Sequence, residues 1–271
     1  MCWRKEEMKN DIAYNNLDFI PQAEAYFERW ADQAQDFRAS EAAIGRARLN
    51  VAYGPSEREK LDLFHPAGRA DGLVVFVHGG YWRRFDRGYW SHFARSLTQG
   101  GQAVAMPSYP LAPDARIHRI TIAVAKAVTA AAELIRGPIT ITGHSAGGHL
   151  AGRMLCRDVA IPDAVRDRFT RAVLISPVAV LAPLLETTMN ETFRLDEDEA
   201  ESESLTSHKP FDVPVTTWVG AEERPAFLDQ NRWLAEAWGA EERIAPGRHH
   251  LDILEDFEHA DSPIVRSILS A

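Results

Sequence analysis

One serine stands among neighbours that would make it a nucleophile. The run Gly143-His144-Ser145-Ala146-Gly147-Gly148 follows the apolar segment PITIT and precedes the helix-compatible segment HLAGRML. A hydroxyl held on a tight turn from strand to helix needs small flanking residues, and the turn holds the serine in a strained conformation. The helix start behind it adds backbone N–H groups and a positive dipole end, both suited to an anionic intermediate. Gly-x-Ser-x-Gly alone is a weak pattern; between a buried strand and a helix it becomes specific. Serine at its ordinary pKa attacks poorly, so this one needs an adjacent base and a third group to orient that base.

On such a turn the partners follow in the order serine, acid, histidine, each at the end of a later strand. The segment VTTWVGAEERPAF offers Glu222 and Glu223 just past a strand end, whereas Asp229 falls inside the next helix. Glu223 is favoured over Glu222. Further on, Arg248-His249-His250-Leu251 follows the short run ERIA. His250, directly before the helical run LDILEDF, is the expected base, with His249 as the alternative. His144 is expected to orient local hydrogen bonds instead of acting as the base.

Acyl transfer builds negative charge on a carbonyl oxygen, which preorganised N–H donors stabilise. Ala146, next after the serine, supplies one donor. The loop His78-Gly79-Gly80-Tyr81-Trp82, after the buried run LVVFV, is expected to supply two more from Gly80 and Tyr81. Tyr81, Trp82 and Trp90 lie close to this loop and form a candidate aromatic wall for substrate. The alternative is that they only pack the loop against the body. Adjacent histidines point in different directions, and neither H-E-x-x-H nor C-x-x-C spacing occurs, so neither a metal nor another cofactor is expected.

The elements that must position these residues are legible in the hydrophobic pattern. Alternation over 46–54 and 60–65 suggests antiparallel strands at a sheet edge. Continuous apolar runs at 73–77, 103–106, 139–142, 172–175 and 215–219 mark strands buried on both faces. Helical segments at 90–97, 117–135, 148–156 and 226–238 separate them, which implies a mostly parallel sheet with helices on both faces. Residues 1–40 read as an amphipathic helical cap, with Ile20, Ala23, Ala25, Tyr26, Trp30, Ala34 and Phe37 on its apolar side. The acidic stretch 194–209 is nearly free of large apolar groups and carries six carboxylates over 196–203, so it reads as a solvated excursion. Within 184–209 it follows a core strand where a lid would sit. No linker or repeat divides the chain, so 1–271 is taken as one domain.

Composition narrows the classes without naming a function. With 30 basic and 39 acidic residues the formal net charge is −9, which disfavours a phosphate backbone and hence nucleic acid. The longest apolar stretch is too short, and too broken by Pro177 and Pro183, to cross a membrane. MCWRKEEMKND lacks the apolar core of a secretory signal, so a cytoplasmic location is expected. Two cysteines, Cys2 and Cys156, cannot make a disulfide framework and fit a reducing compartment. Cys2 is expected in a frayed terminus. The sequence is compatible with a homodimer but carries no signal for one.

With elbow and loop both in place, the whole chain resembles an α/β-hydrolase. Its His-Gly-Gly-Tyr-Trp loop is similar to the H-G-G-x-W motif of kynurenine formamidases (arylformamidases) and their bacterial esterase relatives. AYNNLDFIP, SYPLAP, GHSAGGHL and VGAEERPAFLDQN also agree with that group. One departure is that vertebrate formamidases carry aspartate where Glu223 stands. The resemblance implies a serine hydrolase with Ser145, Glu223 and His250 as triad and His78 to Trp82 as oxyanion loop. It implies N-formylkynurenine as a small-molecule substrate, cleaved to kynurenine and formate through an acyl-enzyme. A carboxylesterase for small acyl or aryl esters would use the same residues. A non-catalytic binding module on the same scaffold is the alternative of a different class.

Overall fold

The computed structural model describes residues 9–270. Eight strands form one sheet: β1 (Ala47–Ala52), β2 (Lys60–Phe64), β3 (Leu73–Val77), β4 (Ala103–Pro107), β5 (Ile139–His144), β6 (Phe169–Ile175), β7 (Val215–Gly220) and β8 (Glu241–Ala245). Their order is β1-β2-β4-β3-β5-β6-β7-β8. From β4 through β8 the pairings are parallel, while β1 and β2 join antiparallel at one edge. The continuous apolar runs of β3 and β4 are buried along their whole length, as burial on both faces requires, whereas β1 alternates half-buried and exposed.

Parallel register brings the strand ends to one edge. Val77 pairs with Gly143, His144 with Ile175, and Gly220 with Ala245. The segments that follow begin at His78, Ser145, Ser176, Ala221 and Pro246, so every candidate residue read from the sequence emerges at the carboxyl edge of the sheet. Clefts for ligands form there in open α/β sheets.

The expected helices form with shifted ends. The segment 90–97 is not one helix: single 3-10 turns at Arg87–Tyr89 and Ser91–Phe93 precede the helix Ala94–Gln99. Asp86 caps the first turn by accepting from the Gly88 N–H at 2.6 Å. Likewise LDILEDF forms a 3-10 helix over Asp252–Glu258, and the terminal α-helix starts only at Pro263, behind the Ser262 cap.

The cap comprises short turns at Asp11–Tyr14 and Leu17–Phe19 and a long helix, Ala23–Ala43; its residues 1–8, with Cys2, lie outside the described residues. Ala23, Phe27, Trp30, Ala34 and Phe37 recur at helical spacing and are buried. Phe27 therefore belongs to the buried stripe and Ala25, which is exposed, does not. Trp30 packs 5.4 Å from both Trp90 and Phe93, which docks the helix on the segment that follows the His78–Trp82 loop.

The acidic stretch is not a solvated excursion. It contains a helix, Glu197–Glu203, on which Glu199 and Glu203 are 6% and 5% exposed. Glu203 accepts from Thr121 Oγ1 at 2.7 Å and Arg153 Nε at 3.2 Å, and Glu199 pairs with Arg116 at 2.7 Å. Buried charge persists where it is paired, and these partners come from elements distant in sequence. Phe193 and Leu205 anchor the same segment in the core.

A third buried carboxylate lies on β2. Asp62 on β2 is fully buried, accepts from Arg87 Nε at 3.0 Å and the Asn50 N–H at 2.8 Å, and pairs with Arg38 of the cap helix. Arg87 also donates to Ser108 Oγ at 2.8 Å. One side chain thus joins cap, loop and sheet edge. Removing it leaves two arginines facing a buried site, a change that costs about 3–5 kcal/mol in comparable pairs. Asp62→Ala is expected to lower unfolding free energy by about 3 kcal/mol in urea titrations at constant m; a loss below about 1 kcal/mol would contradict this role.

Candidate active site

β5 runs into the turn that carries Ser145, and the helix Ala146–Arg153 starts immediately after it. Ser145 has φ 57° and ψ −121°, a conformation that L-residues seldom adopt, and its N–H donates to Ile175 O at 2.8 Å. Space explains the small neighbours. A Cβ on Gly147 would lie 2.0 Å from the Val77 carbonyl and 2.3 Å from that of His78, so only glycine lets the helix start against the end of β3. Ser145 is 2% exposed, and that surface opens onto a cavity.

The structure brings His250 and Glu223 together. His250 Nδ1 donates to Glu223 Oε2 at 2.6 Å, both residues being 6% exposed. Glu223 Oε1 accepts from the Gly220 N–H at 2.9 Å and from Ser176 Oγ at 2.5 Å, so both oxygens are fixed. With Nδ1–H committed to the carboxylate, Nε2 of His250 is left as the basic nitrogen. His250 and Ser145 line the same cavity. The alternatives sit elsewhere. Glu222 is exposed, and Asp229 pairs with Arg232 at 2.6 Å on the helix Pro225–Trp238. His249 faces Tyr26 Oη at 3.3 Å, and its Nδ1 accepts from the N–H groups of Leu251 and Asp252.

Three further histidines serve as neutral scaffolding. His144 Nε2 donates to the His250 carbonyl at 2.8 Å, and its ring lies 4.5 Å from that of His250. Burial, and secondarily the neighbouring His250, holds its pKa well below the ordinary imidazole range, so it does not compete for the proton. His78 stacks 4.3 Å from Tyr109 and donates from Nδ1 to Gly79 O at 2.7 Å, with burial pushing its pKa down to about 4. His149 donates to Glu203 O at 2.7 Å and is pushed down to about 3, again chiefly by burial. Thus His78 shapes the loop that follows β3, and His149 ties the helix after Ser145 to the acidic segment.

The loop itself is strained. Gly80 has φ 111°, and Tyr81 and Trp82 have φ 49° and 52°. Gly80 O accepts from the Arg83 and Arg84 N–H groups at 3.1 and 3.0 Å, which fixes the turn. Gly80, Tyr81 and Ser145 border one cavity of about 370 Å³, and Ala146 begins the buried helix behind it. Tyr81 donates its hydroxyl to Tyr14 O at 2.6 Å. Trp90 also lines the cavity, but Trp82 does not. Its ring is fully buried against His149 and Phe193, at 5.2 and 5.6 Å, so Trp82 is a packing residue and not part of the substrate wall.

Sequence reasoning missed several wall residues. Tyr14, Asn16 and Leu17 arch over the cavity from the N-terminal segment, and Thr188 and Met189 close it from the other side. Gln230 holds the arch in place by donating to Tyr14 Oη at 3.0 Å and Val180 O at 2.9 Å while accepting from the Val180 N–H at 2.7 Å. For Tyr14, Asn16 and Leu17 the signal was the agreement of AYNNLDFIP with a known family, and for Thr188 and Met189 the lid-like place of 184–209; no spacing links residue 14 to residue 230. Among the described residues, no group of three or more His, Cys, Asp and Glu side chains is placed to hold a metal ion, and no helix is long and apolar enough to cross a membrane.

A strained serine, an imidazole with a carboxylate on its far nitrogen and a glycine-bent loop at one cavity are the parts that acyl transfer requires. Comparison with known proteins agrees. Residues 74–239 match the family model of the alpha/beta hydrolase fold, and the chain belongs to that family. It is a hydrolase, which sets aside the non-catalytic reading. The kynurenine formamidase of Salmo salar is 28% identical over 249 residues, covering 85% of this chain and 84% of that protein. A crystal structure from Silicibacter sp. TM1040, assigned provisionally as a thioesterase, is 50% identical with a TM-score of 0.95, over 97% of this chain and 100% of that one. Esterase B of Lactobacillus rhamnosis, 20% identical with a TM-score of 0.66 over 89% and 92% of the two chains, shares the fold.

The geometry distinguishes neighbouring candidates sharply. Glu223→Gln is expected to lower kcat by at least about a hundredfold, and His250→Ala by about ten-thousandfold. Glu222→Gln and His249→Ala should stay within about threefold of wild type. Steady-state kinetics on an activated ester reads all four, and a larger loss at Glu222 or His249 would relocate the acid or the base.

Proposed function

We propose that the protein hydrolyses N-formyl aryl amides, N-formylkynurenine above all, to formate and the free arylamine. The observation that carries this reading is the His250–Glu223 hydrogen bond of 2.6 Å beside Ser145, in a cavity walled by Tyr14, Tyr81, Phe85 and Trp90. The likeness to the Salmo salar kynurenine formamidase over most of both chains supports the choice of substrate.

In this mechanism Ser145 Oγ attacks the formyl carbon as His250 Nε2 takes its proton. Glu223 keeps the imidazole in the useful tautomer and stabilises its positive form. The N–H groups of Gly80, Tyr81 and Ala146 donate to the oxyanion. The C–N bond then breaks, and His250 returns the proton to the departing amine nitrogen. Water attacks the formyl ester on Ser145, again giving a proton to His250, and formate leaves as Ser145 regains its hydrogen. Because a formyl group is small, recognition falls on the aryl part, for which the aromatic wall residues, Phe27 among them, provide surface. The 184–209 segment, through Thr188 and Met189, acts as the lid-like wall of this cavity.

A second reading is hydrolysis of carboxylic esters or thioesters by the same residues, favoured by the provisional thioesterase assignment of the 50% identical structure. The two differ in the leaving group. An amine must be protonated as it departs, whereas a phenolate or thiolate leaves without help. We expect kcat/KM on N-formylkynurenine to exceed that on p-nitrophenyl acetate and on an acetyl thioester by at least about tenfold. Undetectable formamide turnover beside rapid ester or thioester cleavage would overturn the formamidase reading.

A further inference from the structure

The cavity is lined by an arginine that has no carboxylate partner among the described residues. Besides His250, three charged side chains line it: Asp11, Arg83 and Arg84. Asp11 accepts from the Thr188 N–H at 2.7 Å and Thr188 Oγ1 at 3.1 Å. Arg84 lies 3.6 Å from Glu24, with its guanidinium 4.8 Å above the Phe85 ring and 5.6 Å above Phe27. Arg83 has no carboxylate partner among the described residues, although the chain holds 39 acidic residues against 30 basic ones. Its backbone N–H donates to Gly80 O at 3.1 Å, two residues beyond Tyr81, and the exposed Arg83 borders the cavity there.

A second observation points the same way. Asn16 is 5% exposed and lines the same cavity. Its Oδ1 accepts from the Arg224 N–H at 3.3 Å, which assigns the amide orientation and leaves Nδ2 as a buried donor with no acceptor among the described residues. The Nε1 of Trp90, another cavity residue, is also buried without an acceptor. Buried donors ordinarily find partners. Two unmet donors and one unneutralised guanidinium around a single space fit a ligand rich in acceptors and negatively charged.

We propose that Arg83 and Asn16 form an anion subsite that selects, among substrates of Ser145, those whose leaving group carries a carboxylate. The guanidinium fork supplies the charge and geometry for a carboxylate, and Asn16 Nδ2, on another residue of the same cavity, supplies a neutral donor. Both are specificity residues that act on the part of the substrate away from the scissile bond. The inference rests on Ser145 as the nucleophile of a hydrolase and not on the formyl group, so esters test it.

The experiment compares phenyl acetate with 3-acetoxybenzoate, which has the same ester on a ring bearing a carboxylate. The quantity read is the ratio of their kcat/KM values, anionic over neutral. Arg83→Met is expected to lower that ratio about tenfold, chiefly through KM of the anionic ester, and Arg83→Lys to restore part of it. Asn16→Asp keeps an oxygen for the Arg224 N–H and replaces the donor with a negative oxygen, so it should lower the ratio by more than tenfold. Ratios within twofold of wild type in both Arg83→Met and Asn16→Asp, or equal losses on both esters, would overturn the subsite. Cleavage of both esters without N-formylkynurenine turnover would refute the formamidase reading alone, and the ratio would still decide the subsite. Failure of the wild type on every substrate would refute the hydrolase reading of Ser145 and this inference with it.

Discussion

The turn at Ser145 holds a side chain at φ 57° and ψ −121°, and the surrounding elements are arranged so that it has no alternative. The Ser145 N–H is taken by Ile175 at the end of β6, and the Ser145 carbonyl accepts from the His149 N–H at 3.0 Å in the first helical turn. The missing side chain at Gly147 lets that helix abut the carbonyls that end β3. Strain of this kind persists only where neighbouring structure over-determines it. Here the determinants are the buried parallel strands β3, β5 and β6, whose common register also delivers the His78–Trp82 loop and Ser176 to the same edge.

Around that turn the charge is kept simple. His78, His144 and His149 are held neutral chiefly by burial, so His250, the one imidazole bonded to a buried carboxylate in the cavity wall, is distinguished from its neighbours. Glu223 accepts from the Gly220 N–H, Ser176 Oγ and His250 Nδ1, so both oxygens of a buried carboxylate are hydrogen-bonded. The cap and acidic segments are tied down by paired buried charge, Asp62 facing Arg38 and Arg87 and Glu203 facing Arg153.

What could be read from the sequence was local. Continuous apolar runs reveal doubly covered strands, and a serine between small residues at a strand end reveals the turn. The order of later strand ends then narrows acid and base to adjacent pairs. Choosing within a pair depends on which way one side chain faces, and for Glu223 that is decided by Ser176, 47 positions earlier. Long-range packing hid the rest. Trp82 looks like a substrate wall until Phe193 and His149 bury it, and the acids at 199 and 203 look solvated until Arg116 and Arg153 reach them. The Tyr14 arch depends on Gln230, a contact that spans 216 positions and leaves no periodic trace.

Every step proposed for the site requires Ser145 to be an activated nucleophile. A fluorophosphonate probe reports that directly, because it forms a covalent bond only with a serine whose proton a neighbouring base removes. Incubation of the folded protein, followed by peptide mass spectrometry, should give one adduct, on Ser145, that disappears in Ser145→Ala and is formed far more slowly in His250→Ala. An unlabelled wild-type protein, or an adduct carried by another residue, would contradict the account.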